Sequence, residues 1–182
     1  SDVLSLLDVD EVNNRFDFNE QALQDIRQLL DESQVRWAID AEHKEKIGLP
    51  PTIENTWLQA KQRLFAGYAM AGDDFWHGIA AMSQTQGDRA LSIGKFWHMF
   101  ERLQHWQQQL TRPQTAQAWQ HILLSLLDDF FVPLSNNDNQ LQHIRDVIAE
   151  LGTDNLKVSE LSQVNEATMS PELVSFWMEQ KL

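Results

Sequence analysis

Three side chains, His98, Glu101 and His105, fall at i, i+3 and i+7 within one helical stretch. On an α-helix that spacing puts them on one face, where two imidazoles and a carboxylate could seat a metal ion. Asp74 and His77 add an i, i+3 pair. The face carrying His98 and His105 borders an apolar stripe, however, and no Glu-x-x-His motif recurs as a dinuclear carboxylate site demands. Surface or interface histidines are the expectation, and a small metal-dependent enzyme using His98, Glu101 and His105 is the alternative. Glu42-His-Lys44 has the Glu-x-Lys spacing of metal-dependent nucleases, in which a carboxylate holds the metal and a lysine steadies the attacking water. That chemistry needs a second carboxylate on a neighbouring strand. No strand pattern surrounds this one, so a solvated charged loop is expected. The only Gly-Lys pair, Gly94-Lys95, runs into Phe96 and has Arg89 where a phosphate-binding loop needs its leading glycine. Leu29-Leu-Asp-Glu32 and Leu126-Leu-Asp-Asp129 imitate strands ending in a metal-binding acid, but both sit in helical periodicity. There is no Gly-x-Ser-x-Gly elbow and no cysteine, so neither serine nor thiol nucleophile is in view. No catalytic residue, metal ligand or cofactor-binding residue is assigned.

The aromatic residues pose a second question. Seven tryptophans stand beside a single tyrosine, Tyr68. Tryptophan next to a basic residue, as in Arg36-Trp37 or Lys95-Phe-Trp97, can stack on a nucleobase. Trp57, Trp106 and Trp119 instead fall on apolar stripes, where a large aromatic serves packing. Trp37 and Trp76 lie outside the strong stripes. With Arg36 they are the candidate interface residues. Lys61, Arg63, Lys95 and Arg102 are the cations that would serve a DNA-contacting module if folding brought them together.

The elements that must position these side chains read as helices almost throughout. Leu23, Ile26 and Leu29/Leu30 form a stripe after a capping-box start at Asp17-Phe-Asn-Glu20. Pro50-Pro51 ends the charged stretch that follows. A helix is predicted from Thr56 to about Met70, another over 89–111 with Phe96, Phe100, Leu103, Trp106 and Leu110 in register, and a third through Trp119, Leu123, Leu126 and Phe130. Asn137 with Gln140 reads as a further cap, Gly152 as a helix end, and Ser170-Pro171 as a cap with proline at the first helical position. The fold class is therefore all-α, an irregular multi-helix bundle of about seven to nine helices, expected to form a single helical domain over 1–182.

A net charge of −13 over 182 residues opposes a phosphate-gripping surface, which needs clustered Lys and Arg. The charge is uneven: residues 1–60 hold five basic against thirteen acidic side chains, residues 61–100 four against three, and residues 101–182 five against eleven. The near-neutral middle, with Trp76 and Trp97, is the stretch expected to lie inside or against a partner. No run of 18 apolar residues exists to span a membrane, and Ser1–Leu7 lacks the basic region and cleavage site of a signal peptide. A cytoplasmic location is expected.

Several words of the sequence also occur together elsewhere. Val3-Leu-Ser-Leu-Leu-Asp-Val9, Arg15-Phe16, Asp31-Glu-Ser-Gln-Val-Arg-Trp-Ala-Ile-Asp40, Leu49-Pro50, Thr56-Trp57, Gly67-Tyr-Ala-Met70, Trp106 before Leu110, and Phe130-Phe131 follow one another in an order and at a spacing that resembles the gamma-chain (RecC) family of bacterial exodeoxyribonuclease V, the RecBCD helicase–nuclease. The match is dense over the first 70 residues and thins to scattered apolar and aromatic positions afterwards. The resemblance implies a fragment of a much longer chain, corresponding to the helical 2B insertion of a superfamily I helicase-like subunit. It implies a heterotrimer with alpha and beta chains that unwinds and degrades DNA ends and responds to Chi during recombinational repair of double-strand breaks. ATP and magnesium chemistry would belong to the partner chains, so no cofactor is expected in this fragment. DNA would be met through the whole complex. The fragment itself is expected to be a non-catalytic structural and docking segment of an ATP-dependent enzyme complex, with a DNA-contacting helical module as the alternative.

Overall fold

The computed structural model describes residues 2–33, 35, 38–69, 75–76, 79–80, 87–132, 139–162 and 168–182; of residues 2, 67–69, 75–76, 79–80 and 152–162 it describes the backbone alone. Among the described residues nine α-helices dominate, so the chain is all-α as its periodicity predicts. They are α1 (Asp2–Ser5), α2 (Asp10–Arg15), α3 (Glu20–Ser33), α4 (Ala41–Lys46), α5 (Trp57–Ala69), α6 (Asp88–Leu110), α7 (Ala116–Phe130), α8 (Asn139–Ser162) and α9 (Pro171–Lys181). A 3-10 turn (Leu6–Asp8) and two ribbons of two-residue antiparallel strands accompany them, β1 (Phe75–Trp76) with β2 (Ile79–Ala80) and β3 (Gln114–Thr115) with β4 (Thr168–Met169). Strands this short carry no alternation of polar and apolar residues, which is why none is legible in the sequence. The chain divides into two compact units, Ser1–Leu7 with Phe18–Trp97 and Asp8–Asp17 with His98–Leu182; the division falls within α6.

In the first unit α3 buries Ala22, Ile26 and Leu29, at steps of 4 and 3. Its N-terminal cap is Asn19, whose Oδ1 accepts the Ala22 N–H at 2.8 Å. The predicted start at Asp17 is displaced by two residues because Asp17 takes a left-handed turn (φ 53°) before the helix, leaving Asn19 where a capping oxygen can reach an unpaired N–H. At the other end the Ser33 carbonyl accepts from Arg63 Nη1 at 3.4 Å, and Glu32 pairs with Arg89 at 3.2 Å. A cation at a helix C-terminus complements the exposed carbonyls there. Helix α5 buries Trp57, Ala60 and Leu64, and the start of α6 buries Ile93, Phe96 and Trp97. The Trp57 ring lies 5.9 Å from Phe96 and meets Trp97 edge to face at 6.1 Å. Trp57 is core, as its stripe predicts, and Trp97 is buried beside it.

In the second unit the β3–β4 ribbon fixes the start of two helices. Thr115 caps α7 by accepting from the Ala118 N–H at 3.2 Å, and Ser170 caps α9 by accepting from Leu173 at 3.3 Å, with Pro171 at the first helical turn. Between them Trp119, 1% exposed, packs on Leu151 and Val174. Its indole Nε1 donates to the Met169 carbonyl at 2.9 Å, so a core side chain also satisfies a strand carbonyl. Helices α7 and α8 lie side by side, joined by the Arg145–Asp128 ion pair at 2.7 Å and by Gln120 Nε2 donating to the Ala149 carbonyl at 3.2 Å. Lys181 on α9 pairs with Glu150 on α8 at 2.8 Å. Helix α8 does not end at Gly152 but runs on to Ser162. A glycine inside a helix costs about 1 kcal/mol, which weakens a helix without terminating it. The cap read at Asn137 lies outside the described residues.

Candidate functional site

The metal-like triple does not assemble. His98, Glu101 and His105 all lie exposed along α6. The His98 ring meets Phe16 edge-on at 6.2 Å, and His105 lies against Trp106 at 5.4 Å. Among the described residues no three His, Asp or Glu side chains stand together as a metal ion requires. Asp74 and His77 lie outside the described residues, as do the interface candidates Arg36 and Trp37; for Trp76 the structure describes only a backbone in β1. The cations named above for a DNA-contacting patch are committed locally. Lys61 Nζ sits 5.9 Å from the centre of the Trp97 ring, Arg63 reaches the Ser33 carbonyl, Arg102 pairs with Asp129, and Lys95 is likewise engaged.

Two charged residues take structural roles that the pattern alone conceals. The first is Asp129, near the end of α7. Its carboxylate accepts from the Arg102 guanidinium and, at 2.7 Å, from the indole N–H of the buried Trp106. Its backbone carbonyl accepts from Arg15 Nε at 3.0 Å. One residue thus ties α2, α6 and α7 together within the second unit. Burial by itself raises the Asp129 pKa, but the hydrogen bonds from Arg102 and Trp106, with the charges of Arg102 and Arg15, outweigh it and hold the carboxyl below its ordinary value. The apolar-acid word Leu126-Leu-Asp-Asp129 is helical, as its periodicity predicts, and its last acid clamps three helices.

The second is Lys44. Glu42-His-Lys44 is part of the helix α4, not a solvated loop, and Lys44 is buried at 5% exposure. Asp40 starts this helix by accepting from the His43 N–H at 2.8 Å, and His43 Nδ1 accepts in turn from the Ile39 N–H at 3.1 Å. The Lys44 ammonium turns inward to donate to Thr52 Oγ1 at 3.2 Å and to the Glu54 carbonyl. A buried ammonium is tolerated when its donors are matched in this way. The Asp40 cap was the available signal: three residues of the nuclease-like word follow an Asx residue, which favours a helix start over a loop. The inward turn of Lys44 has no counterpart in local sequence, since its acceptors lie 8 and 10 residues away.

With no catalytic constellation among the described residues, kinship carries the functional question. The family described as RecBCD enzyme subunit RecC fourth domain matches this chain over residues 1–182. The chain belongs to that family. The RecBCD enzyme subunit RecC of Escherichia coli (strain K12) is 32% identical over 133 residues, covering 72% of this chain and 12% of that protein. Its counterpart in Buchnera aphidicola subsp. Acyrthosiphon pisum is 28% identical over 165 residues, 90% of this chain and 15% of that protein. The protein of the same name from Haemophilus influenzae is 25% identical over 179 residues, 98% of this chain and 15% of its own length. The likeness to RecC therefore continues past residue 70, where recognisable words thin out. The RecC fourth-domain chain spans 12% to 15% of the length of these curated relatives. No helix among its described residues is long and apolar enough to cross a membrane.

Proposed function

We propose that this chain is a non-catalytic structural and partner-docking segment of an exodeoxyribonuclease V gamma chain. It would work inside a heterotrimer with the alpha and beta chains, a cytoplasmic, ATP-dependent helicase–nuclease of recombinational DNA repair. The observation that carries the reading is the family match across all 182 residues, to relatives whose printed name makes them subunits of an enzyme. The geometry supports it: the charged residues that the sequence offers for chemistry are spent on holding helices, as at Asp129 and Lys44, or lie scattered on an exposed face, as at His98, Glu101 and His105. ATP hydrolysis, magnesium binding and nuclease chemistry fall to the partner chains on this reading, and DNA is met through the whole complex.

Hydrogen exchange on the full-length gamma chain, alone and in the assembled heterotrimer, tests the docking role. Amides within this segment are expected to gain protection on assembly, and an unchanged exchange pattern throughout residues 1–182 overturns it. Substituting His98, Glu101 and His105 together by alanine in the reconstituted complex tests the non-catalytic role. Unwinding and nuclease rates are expected within about twofold of the parent, far inside the losses of 100-fold or more that follow removal of an acid–base group. A 100-fold loss with assembly intact refutes it.

A further inference from the structure

Residues 47–56 join α4 to α5, and this connection is held rigidly from within. Gly48, at φ +78°, and Leu49 close α4 in a paired turn: the Gly48 N–H donates to the Glu45 carbonyl at 3.0 Å, and the Leu49 N–H donates to the Lys44 carbonyl at 2.9 Å. The buried Lys44 ammonium stakes the far side through Thr52 and the Glu54 carbonyl. Thr56, with no exposed surface, donates to the Ile53 carbonyl. The loop's exit is tied back by the Trp57 and Leu58 N–H groups, which donate to the carbonyls of Ala38 and Ile39 at 3.2 and 2.9 Å.

A loop normally folds its aliphatic side chains under itself and leaves its charges in water. Here the order is reversed. The ammonium of Lys44 fills the inside, while Ile47 stands 51% exposed and Leu49 36% exposed, followed by exposed Pro50 and Pro51. The conformational entropy of this apolar tip has already been lost within the fold, so a contact made by it is pre-organised. Glu45 and Glu54, near it in sequence, are exposed, and Glu42 is paired with the exposed Lys46 at 2.7 Å.

We infer that the Ile47–Pro51 tip is a preformed docking knob that seats in an apolar pocket, rimmed by Lys or Arg, on another domain of the same longer polypeptide. The inference rests on the reading of this chain as a segment of a gamma chain, and it names the surface and the kind of partner. Size selects the occupant. Two aliphatic side chains and two prolines offer far less than the roughly 800 Å² per partner that a lasting complex of separate chains needs. A domain on the same polypeptide is present at an effective concentration of about millimolar, enough to fill a contact too small to hold a free protein. The relatives supply such domains, since the chain covers 12% to 15% of their length. With Glu42 offset by Lys46, it is Glu45 and Glu54 that favour a basic rim and repel an acidic one.

The test uses the full-length gamma chain without its partners, carrying a photo-cross-linking amino acid in place of Leu49 and, as a control, in place of the exposed Glu20 on α3. Irradiation is expected to give a cross-link from position 49, absent from position 20, to a peptide of the same polypeptide outside residues 1–182. Adding Ile47→Asp should abolish that cross-link. Lys44→Met, which leaves the tip's composition unchanged but removes its stake, should lower the yield. Should Lys44→Met fail to fold, Ile47→Asp, at an exposed position, retains the test. No cross-link, or one between two copies of the chain, overturns the inference, as does a cross-link solely to the alpha or beta chain when the irradiation is repeated on the assembled trimer. None of these results depends on the exchange measurement that tests partner docking, so the two readings fail separately.

Discussion

Replacing Asp129 by alanine and by asparagine separates the two forces that meet at this carboxylate. Alanine strands the indole N–H of Trp106, a residue 8% exposed, whose hydrogen bond to Asp129 is 2.7 Å long. A buried donor left unpaired costs about 1–3 kcal/mol. The Arg102 pair adds less, about 0–1 kcal/mol, because the arginine side chain is 38% open to water. The Arg15 bond survives in both variants because it ends on a backbone carbonyl. Asp129→Ala should therefore lose about 3 kcal/mol in all. With a urea dependence of about 2 kcal/mol per molar, the unfolding midpoint falls by about 1.5 M. Asp129→Asn keeps an oxygen for the indole and loses only the charge, so its midpoint falls by about 0.5 M. Urea titration read through the fluorine resonance of 5-fluorotryptophan at Trp106 follows this unit specifically. A shift below about 0.3 M for the alanine variant, or an asparagine variant as weak as the alanine one, refutes the argument that the buried indole dominates.

The same carboxylate sets a pH dependence. Its folded pKa lies below the ordinary value of 3.8, so its contribution to stability is fully present above that value and is lost as pH falls through the lower, folded one. The difference in midpoint between the parent and Asp129→Asn should stay constant from pH 7 down to about 5 and then shrink as the unfolded carboxyl protonates. A difference that grows on acidification contradicts the sign.

Other expectations follow from single positions. Trp119→Ala empties a core site that is 1% exposed and should cost about 3–5 kcal/mol, read as a lower thermal midpoint; Trp119→Phe should recover most of it while giving up the indole hydrogen bond. Gly48→Ala should cost about 1–2 kcal/mol, measured by faster amide exchange at Gly48 and Leu49. That cost is purely conformational, because an added Cβ meets nothing within 4 Å while φ stands at +78°. At about 50 mM salt, where phosphate contacts are strong, the 182-residue chain should give no gel shift with single-stranded or duplex DNA, and a clear shift refutes the non-contacting reading.

Periodicity made most of the fold legible. The stripes through Trp57, Phe96, Trp106 and Trp119 mark helices whose bounds agree within a few residues, because a helix buried on one face must repeat its apolar positions at that pitch. What stayed hidden depends on contacts distant in sequence. Asp129 meets Arg15 across 114 residues and Arg102 across 27, and nothing local to Leu126-Leu-Asp-Asp129 announces either. The β3–β4 ribbon joins residues about fifty positions apart with two residues on each side. The burial of Lys44 is hidden for a related reason. Charge runs are normally solvated, and only the later Thr52 and Glu54 carbonyl make burial of this ammonium tolerable.

The acidity takes on a more specific meaning once the cations are placed. A net charge of −13 says only that phosphates are repelled on average, and a local basic patch could still overcome it. Within the first unit, however, Lys61 is held over Trp97, Arg63 at the Ser33 carbonyl and Arg89 on Glu32. Within the second, Arg102 is held on Asp129, Arg145 on Asp128 and Lys181 on Glu150. To bind DNA with any of these, the fold must first release an interaction it already uses, so the gain from a phosphate is reduced by the loss of an internal bond. For Arg102 that loss falls on a carboxylate that also satisfies a buried indole. The apolar tip at Ile47–Pro51 faces no such competition: its side chains are exposed, its backbone is already ordered, and covering it releases water without breaking a contact. The proposed docking role of this member of the RecC fourth-domain family draws on that contrast between engaged cations and an open apolar tip.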